Sequence, residues 1–402
     1  MTSTTAEVQI FNVVFSVALA LLFARVFGHL LNRLRQPPVI GEILAGFLLG
    51  GFGLSLLFPE LNYTSDEFML LAEFGILFLM FISGLETSFS KLKKVQKPAI
   101  LVAVGGVLVP LVLGILASLF FVSSWQERLI IGLILVATSV GVPVRVLMDL
   151  HALNTEVGLT ILGAAVIDDV ICIILFVSVF GVGAQSVVLV SIQILVFFLL
   201  FLFVGLKIID KIMDLGERIQ LPKALLSLSL AIFLIYSFFA YQSGIAGITG
   251  AFVAGIVIGH AIKSKKVVDD IKAIGYGLFI PLFFVWVGAT VDPTVFSVVT
   301  VAAFAVMIIF IGIIGKIIGC GLGAKLAGMT NKHSLRVGIG MIPRLEMALI
   351  IAGTAVSHHP PIVENANQII AITVLLTLVT TLITPFLLKV VFKKEPESSQ
   401  EF

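Results

Sequence analysis

The chain has 402 residues, 59% of them hydrophobic and only 12% charged, with a formal net charge of +2. Soluble domains carry roughly 25% charged residues, so a water-soluble core is excluded. A spanning helix needs about 20 mostly apolar residues, and such stretches follow one another almost end to end, so residues 1–402 read as a single all-α polytopic membrane domain.

Taken in order, thirteen spans are expected near residues 8–26, 38–57, 68–85, 98–121, 127–148, 157–180, 186–209, 222–240, 243–262, 273–290, 296–324, 335–357 and 366–391. The opening MTSTTAEVQ has no Lys or Arg, so it lacks the basic region of a cleaved signal, and the first helix is expected to stay as a span. Cytoplasmic loops collect Lys and Arg. With the N-terminus outside and the C-terminus cytoplasmic, Arg33, the lysines of 91–97, Lys207, Lys211, Lys263, Lys265 and Lys332 all fall in inner loops. Lys316 and Arg344 are left without a loop to sit in. The six histidines are expected at helix ends and loops, and Cys172 and Cys320 as small apolar residues in helix packing.

The second span, from Gly41 through Ala45 and Gly46 to Gly50, lies over the ninth, from Gly250 through Ala254 and Gly255 to Gly259. The third lies over the tenth with Gly84 on Gly288. Seven spans separate the matched helices, an odd number, so the halves would insert in opposite directions. The pattern predicts two inverted six-helix repeats joined by a linker helix, an architecture that holds its substrate at the bilayer midplane. Ordinary close helix packing is the other explanation of such small-residue matches. The second and third spans also carry Glu42 and Glu73, read as buried acids that either line a funnel or serve helix contacts.

In the fifth span, LVATSVGVPVRVL, Pro143 removes the hydrogen bond to the carbonyl of Ser139 and Gly141 loosens the turn, so the helix should break. The break would offer carbonyls and the hydroxyls of Thr138 and Ser139 to a cation; a plain proline kink is the alternative. The twelfth span, GIGMIPRLEMALII, has the counterpart in Gly340 and Pro343, with Arg344 and Glu346 placed to neutralise the freed helix ends. Between the two breaks in sequence lie Asp168 and Asp169, about eleven residues from either end of the sixth span. Carboxylates that deep must face a partner or water. Successive helix positions differ by about 100°, so the two cannot share one contact equally. Lys316, on a small-residue face made by Gly312, Gly315 and Gly319, is the natural holder of one of them. No nucleotide fingerprint, zinc-protease motif or Walker loop is present, so an enzyme is not expected and the energy must come from a gradient.

With ATSVGVPVRVL at 137–147, GAAVIDDV at 163–170, GKIIG at 315–319 and GMIPRLEMALIIA at 340–352, the chain resembles bacterial Na⁺/H⁺ antiporters of the monovalent cation:proton antiporter family, in its NapA and GerN type branch. PPVIGEILAG near 37 and FISGLETSF near 81 extend the likeness over almost the whole chain. The resemblance implies an NhaA-like fold with crossed broken helices. It implies that Asp169 takes Na⁺ or a proton in turn, with Thr138 near the ion and Asp168 paired with Lys316. It further implies electrogenic exchange by a homodimer in the plasma (inner) membrane. Core transport helices (98–185 and 296–392) would slide against scaffold and dimerisation helices (1–97 and 222–295), with 186–221 as linker and 393–402 as a short cytoplasmic tail. The transported Na⁺ (or Li⁺) and H⁺ are the only ligands expected, with no cofactor and no nucleic-acid partner. Leu345 departs from the Gly that relatives carry between Arg and Glu, which bears on backbone freedom at that break. A K⁺/H⁺ exchanger, a passive cation channel and a non-transporting membrane scaffold are the rival readings.

Overall fold

A computed structural model of the chain describes residues 2–34, 36–50, 61–87, 89–180, 184–219, 221–290, 299–357 and 366–392. The expected tail, 393–402, lies outside the described residues. All elements among the described residues are helices. In chain order they are α1 (Thr2–Arg33), α2 (Pro38–Leu49), α3 (Asp66–Glu86), a short connecting helix (Phe89–Lys94), α4 (Gln96–Ser118), α5a (Trp125–Val136), α5b (Gly141–Asp149) and α6 (Glu156–Phe180). Next, α7 runs through Ala184–Phe197, a π-helical stretch Phe198–Val204 and Gly205–Arg218, followed by α8 (Ala224–Gln242) and α9 (Gly247–His260). Then α10 joins Lys265–Ile274, a π turn Gly275–Phe279 and Ile280–Ala289. The last elements are α11 (Val299–Leu326), α12a (Asn331–Gly340), α12b (Glu346–Ser357) and α13 (Ala366–Phe392).

Ten helices among the described residues are long and apolar enough to cross a membrane, against the thirteen spans expected. The other three expected spans coincide with shorter helices: α2 has 12 residues, α9 has 14, and the twelfth is interrupted. At 1.5 Å per residue, α2 and α9 reach only about 18–21 Å, less than a full hydrocarbon core, which explains why hydropathy counts more spans than length does.

Helix starts follow local chemistry. The Ser65 hydroxyl accepts the Phe68 N–H at 3.3 Å, and Asp66 and Glu67 face the positive end of α3. Thr330 caps α12a in the same way, accepting from His333 N–H at 3.2 Å. Pro38 opens α2 at a position where its missing N–H would have had no partner. The outward faces are apolar: Phe11 and Phe15 on α1, Leu195 and Leu199 on α7 and Phe310 on α11 are all exposed, as side chains facing lipid should be.

Within the bundle α2 packs between α1 and α10, α3 lies along α9 and α10, and α4 lies along α11 and against α6. Several crossings bring backbones into contact. A Cβ on Gly84 would lie 2.9 Å from the Cα of Gly255, and one on Gly255 would lie 2.8 Å from the Cα of Gly84. A Cβ on Gly288 would likewise lie 3.0 Å from the Cα of Gly46. Any side chain at these positions would push the helices apart.

One expectation is corrected here: Glu73 is exposed on the outer face of α3, not buried. Helix α3 is apolar nearly all round, so periodicity gave no face from which to judge its burial.

Candidate functional site

The fifth and twelfth helices are both interrupted, and the interruptions meet. Helix α5a ends at Val136 and α5b starts at Gly141; α12a ends at Gly340 and α12b starts at Glu346. Ser139 donates its backbone N–H to the carbonyl of Pro343 at 2.7 Å, one break bonding directly to the other. The first break lies at 137–140, ahead of Pro143, which sits in the first turn of α5b where its lack of an N–H costs nothing. Pro343 lies inside the second break, and the Ile339 carbonyl it cannot serve accepts from Ile342 N–H at 3.2 Å instead. Leu345 is 3% exposed, and its carbonyl accepts from Leu349 N–H at 3.2 Å, starting α12b.

Interrupting a helix strands carbonyls at its C-terminal end. Wholly buried Arg344 meets those at the breaks: one guanidinium nitrogen donates to Leu135 O at 2.9 Å and the other to Ile342 O, while the first also reaches Gly312 O in the unbroken α11 at 2.8 Å. A cation at the negative end of α5a is also favoured by the helix dipole. Thr380 and Thr381 of α13 complete the clamp. The Thr380 hydroxyl accepts from Arg344 N–H at 3.2 Å, and the Thr381 hydroxyl donates to Arg344 O at 3.4 Å. The side chain of Glu346 lies outside the described residues.

Asp168 and Asp169 face different neighbours, as the helical rotation between them requires. Lys316 Nζ from α11 lies 3.3 Å and 3.4 Å from the two carboxylate oxygens of Asp168, and both residues are 0% exposed. Lys316 reaches that depth because α4 and α11 touch at Gly105 and Gly319, where a Cβ on either would collide with the other's carbonyl oxygen. Asp169 turns instead toward α9, where the hydroxyl of Thr249 stands 3.4 Å from its Oδ2. A cavity of about 10 Å³ borders both residues, about the room that one water needs. Of the first break, Val140 lines this cavity; the Thr138 hydroxyl donates to Val136 O at 3.3 Å.

Glu42 is 1% exposed and belongs to a second charged group. Arg145 on α5b lies 4.0 Å from Glu42 and 3.3 Å from Asp149, with its guanidinium 4.8 Å over the Tyr276 ring. Sequence reasoning missed Arg145, which four residues from the end of its helix reads as an interfacial cation. It also missed Thr249, a lone hydroxyl in the apolar run GIAGITGAFVAG.

Known proteins resemble the chain over nearly its whole length. Residues 17–394 match the profile of the family described as sodium/hydrogen exchanger, transmembrane. The chain is 36% identical to the Na(+)/H(+) antiporter of Enterococcus hirae over 384 residues, covering 94% of this chain and 97% of that protein. It is 34% identical to the Na(+)/H(+)-K(+) antiporter GerN of Bacillus cereus over 385 residues, covering 95% and 97%. Among solved structures it is similar to the sodium proton antiporter MjNhaP1 of Methanocaldococcus jannaschii, with a TM-score of 0.68 at 18% identity, covering 96% of this chain and 99% of that one.

Proposed function

The chain belongs to the transmembrane sodium/hydrogen exchanger family, and from that membership we propose that it exchanges Na⁺ for protons by alternating access, with Asp169 as the carboxylate that carries each in turn. The observation that carries this reading is the division of labour in the aspartate pair. Asp168 is compensated by Lys316 at 3.3 Å, and Asp169 faces a small cavity beside the crossed breaks.

A bare carboxylate is costly to move past apolar side chains. Asp169 neutralised by a proton or by a metal ion is far cheaper to move, and it cannot hold both at once. Competition for one group therefore couples the two fluxes. Arg344 keeps the crossed interruptions together, with Gly141, Pro143, Gly340 and Pro343 shaping the breaks, and Ser139 and Thr138 lie in the first of them.

The thirteen-span inverted repeat is part of the same reading. The pairs that meet, Gly46 with Gly288 and Gly84 with Gly255, exchange places when the second span is laid on the ninth and the third on the tenth, as a two-fold pseudo-symmetry would require. In this reading α1–α3 and α8–α10 form the scaffold, α4–α6 and α11–α13 the moving core, and α7 the linker. The protein works as a homodimeric elevator in the plasma membrane, with the N-terminus outside and the C-terminus inside. Exchange is electrogenic because two acids and Lys316 share the site. A K⁺/H⁺ exchanger is the second reading, favoured by the similarity to GerN, a Na(+)/H(+)-K(+) antiporter.

The test is dissipation of an imposed pH gradient in proteoliposomes by Na⁺, Li⁺ and K⁺, with Asp169→Asn alongside. Wild type should respond most strongly to Na⁺ and the variant to none. Normal Na⁺-driven proton movement in Asp169→Asn overturns the assignment, and a larger response to K⁺ selects the second reading.

A further inference from the structure

We infer that Thr249 is a further ligand for the transported cation, its hydroxyl oxygen completing from α9 the site that Asp169 opens on α6. The inference rests on the reading of Asp169 given above.

The distance between the two oxygens is the first ground. At 3.4 Å, Thr249 Oγ1 and Asp169 Oδ2 are too far apart for a good O–H···O bond, which lies at about 2.5–3.0 Å. A hard cation of this size class holds its oxygens at about 2.4 Å, so two ligands at right angles around it stand about 3.4 Å apart. The spacing suits two oxygens around one ion better than it suits two oxygens around one hydrogen.

The second ground is the freedom of the hydroxyl. Threonines inside membrane helices usually give their proton to the carbonyl one turn back, as Thr373, Thr377 and Thr384 do here at 2.7, 2.8 and 2.7 Å. Thr249 is the third residue of α9, where the Ala246 carbonyl three residues back takes its backbone N–H at 3.0 Å and its hydroxyl turns to Asp169 instead. Its oxygen points off its own helix.

The third ground is the enclosure. Thr249 is 2% and Asp169 4% exposed, and the cavity of about 10 Å³ that they share is otherwise walled by apolar side chains such as Met80, Val140, Val166 and Phe252. An ion that sheds its water to enter needs oxygens from the wall, and these two side chains present them. Because Thr249 belongs to α9 and Asp169 to α6, this ligand is available only while those helices face each other as they do here.

Sodium-dependent exchange by the full-length protein in proteoliposomes tests the assignment. Thr249→Val should raise the KM for Na⁺ roughly fivefold, the loss expected for one polar contact, with the maximal rate within about twofold of wild type, since a ligand lost from the binding step alone moves KM. Thr249→Ser should restore the KM. An unchanged KM in Thr249→Val, or equal impairment of the Val and Ser variants, overturns the assignment. If the Val variant does not fold, Thr249→Ala is read in the same way. Asp169→Asn run in parallel separates the two readings. Full exchange by that variant removes the carrier and the ligand together, whereas an inactive Asp169→Asn beside a wild-type KM in Thr249→Val removes only the ligand.

Discussion

The backbone N–H of Ser139 donates to the carbonyl of Pro343 at 2.7 Å, so the two interrupted helices are tied to each other at the points where each fails to continue. A freed donor on one chain segment is satisfied by a freed acceptor on the other, which lets irregular backbone persist deep in the bundle. Arg344 supplies the donor that remains lacking at Leu135, and reaches Gly312 on α11 with the same nitrogen.

Replacing Arg344 by Met therefore leaves the stranded Leu135 carbonyl buried without a donor and strips the extra bond from Gly312. The expected cost is about 2–4 kcal/mol, read as a lowered midpoint in thermal unfolding of the detergent-purified protein. Arg344→Lys should recover only part of it, because an ammonium lacks the planar fork that spans two carbonyls. Full stability in Arg344→Met would show that water or another group takes over the carbonyls.

Lys316→Met strands Asp168 at 0% exposure. Breaking a buried pair on one side costs about 3–5 kcal/mol, and removing both charges should return most of it. The stability of Lys316→Met with Asp168→Asn is thus expected to exceed that of Lys316→Met alone. A purely additive double-mutant cycle would mean the pair is not coupled.

Gly84→Val should drive α3 and α9 apart, since even a Cβ there would lie 2.9 Å from the Cα of Gly255. Folded yield after membrane extraction is expected to fall sharply. Gly277→Ala serves as the control: no atom lies within 4 Å of the added Cβ, so yield should match wild type.

At the C-terminal end of α7, Lys263 from the turn between α9 and α10 and Lys266 from the start of α10 hold the carboxyl of Glu217 at about 2, below the ordinary 4.5. A depressed carboxylate contributes stability that is complete above the unfolded value and is lost as pH falls through the folded one. The difference in melting temperature between wild type and Glu217→Gln should therefore stay flat from about pH 6 to 9 and shrink below about pH 4. It should also diminish in high salt, because the group is on the surface. A difference that changes between pH 6 and 9 would assign the titration to another group.

The features legible in the linear chain are those that local physics decides. Asp168 and Asp169 are deep because twelve apolar-rich positions precede them and eleven follow them in α6, and depth along one helix needs no knowledge of its neighbours. The two interruptions are visible because Gly and Pro act on their own backbone, although the first opens at 137–140, before Pro143 rather than at it. What packing alone decided is direction around each helix axis. Helices α3, α6 and α9 are apolar on nearly every side, so no periodic stripe tells that Glu73 turns outward, that Asp168 takes Lys316, or that Thr249 turns toward Asp169. Rotation about such a helix is set by which neighbours can approach it, and that is a property of glycine contacts such as Gly84 with Gly255, made between residues far apart in the chain.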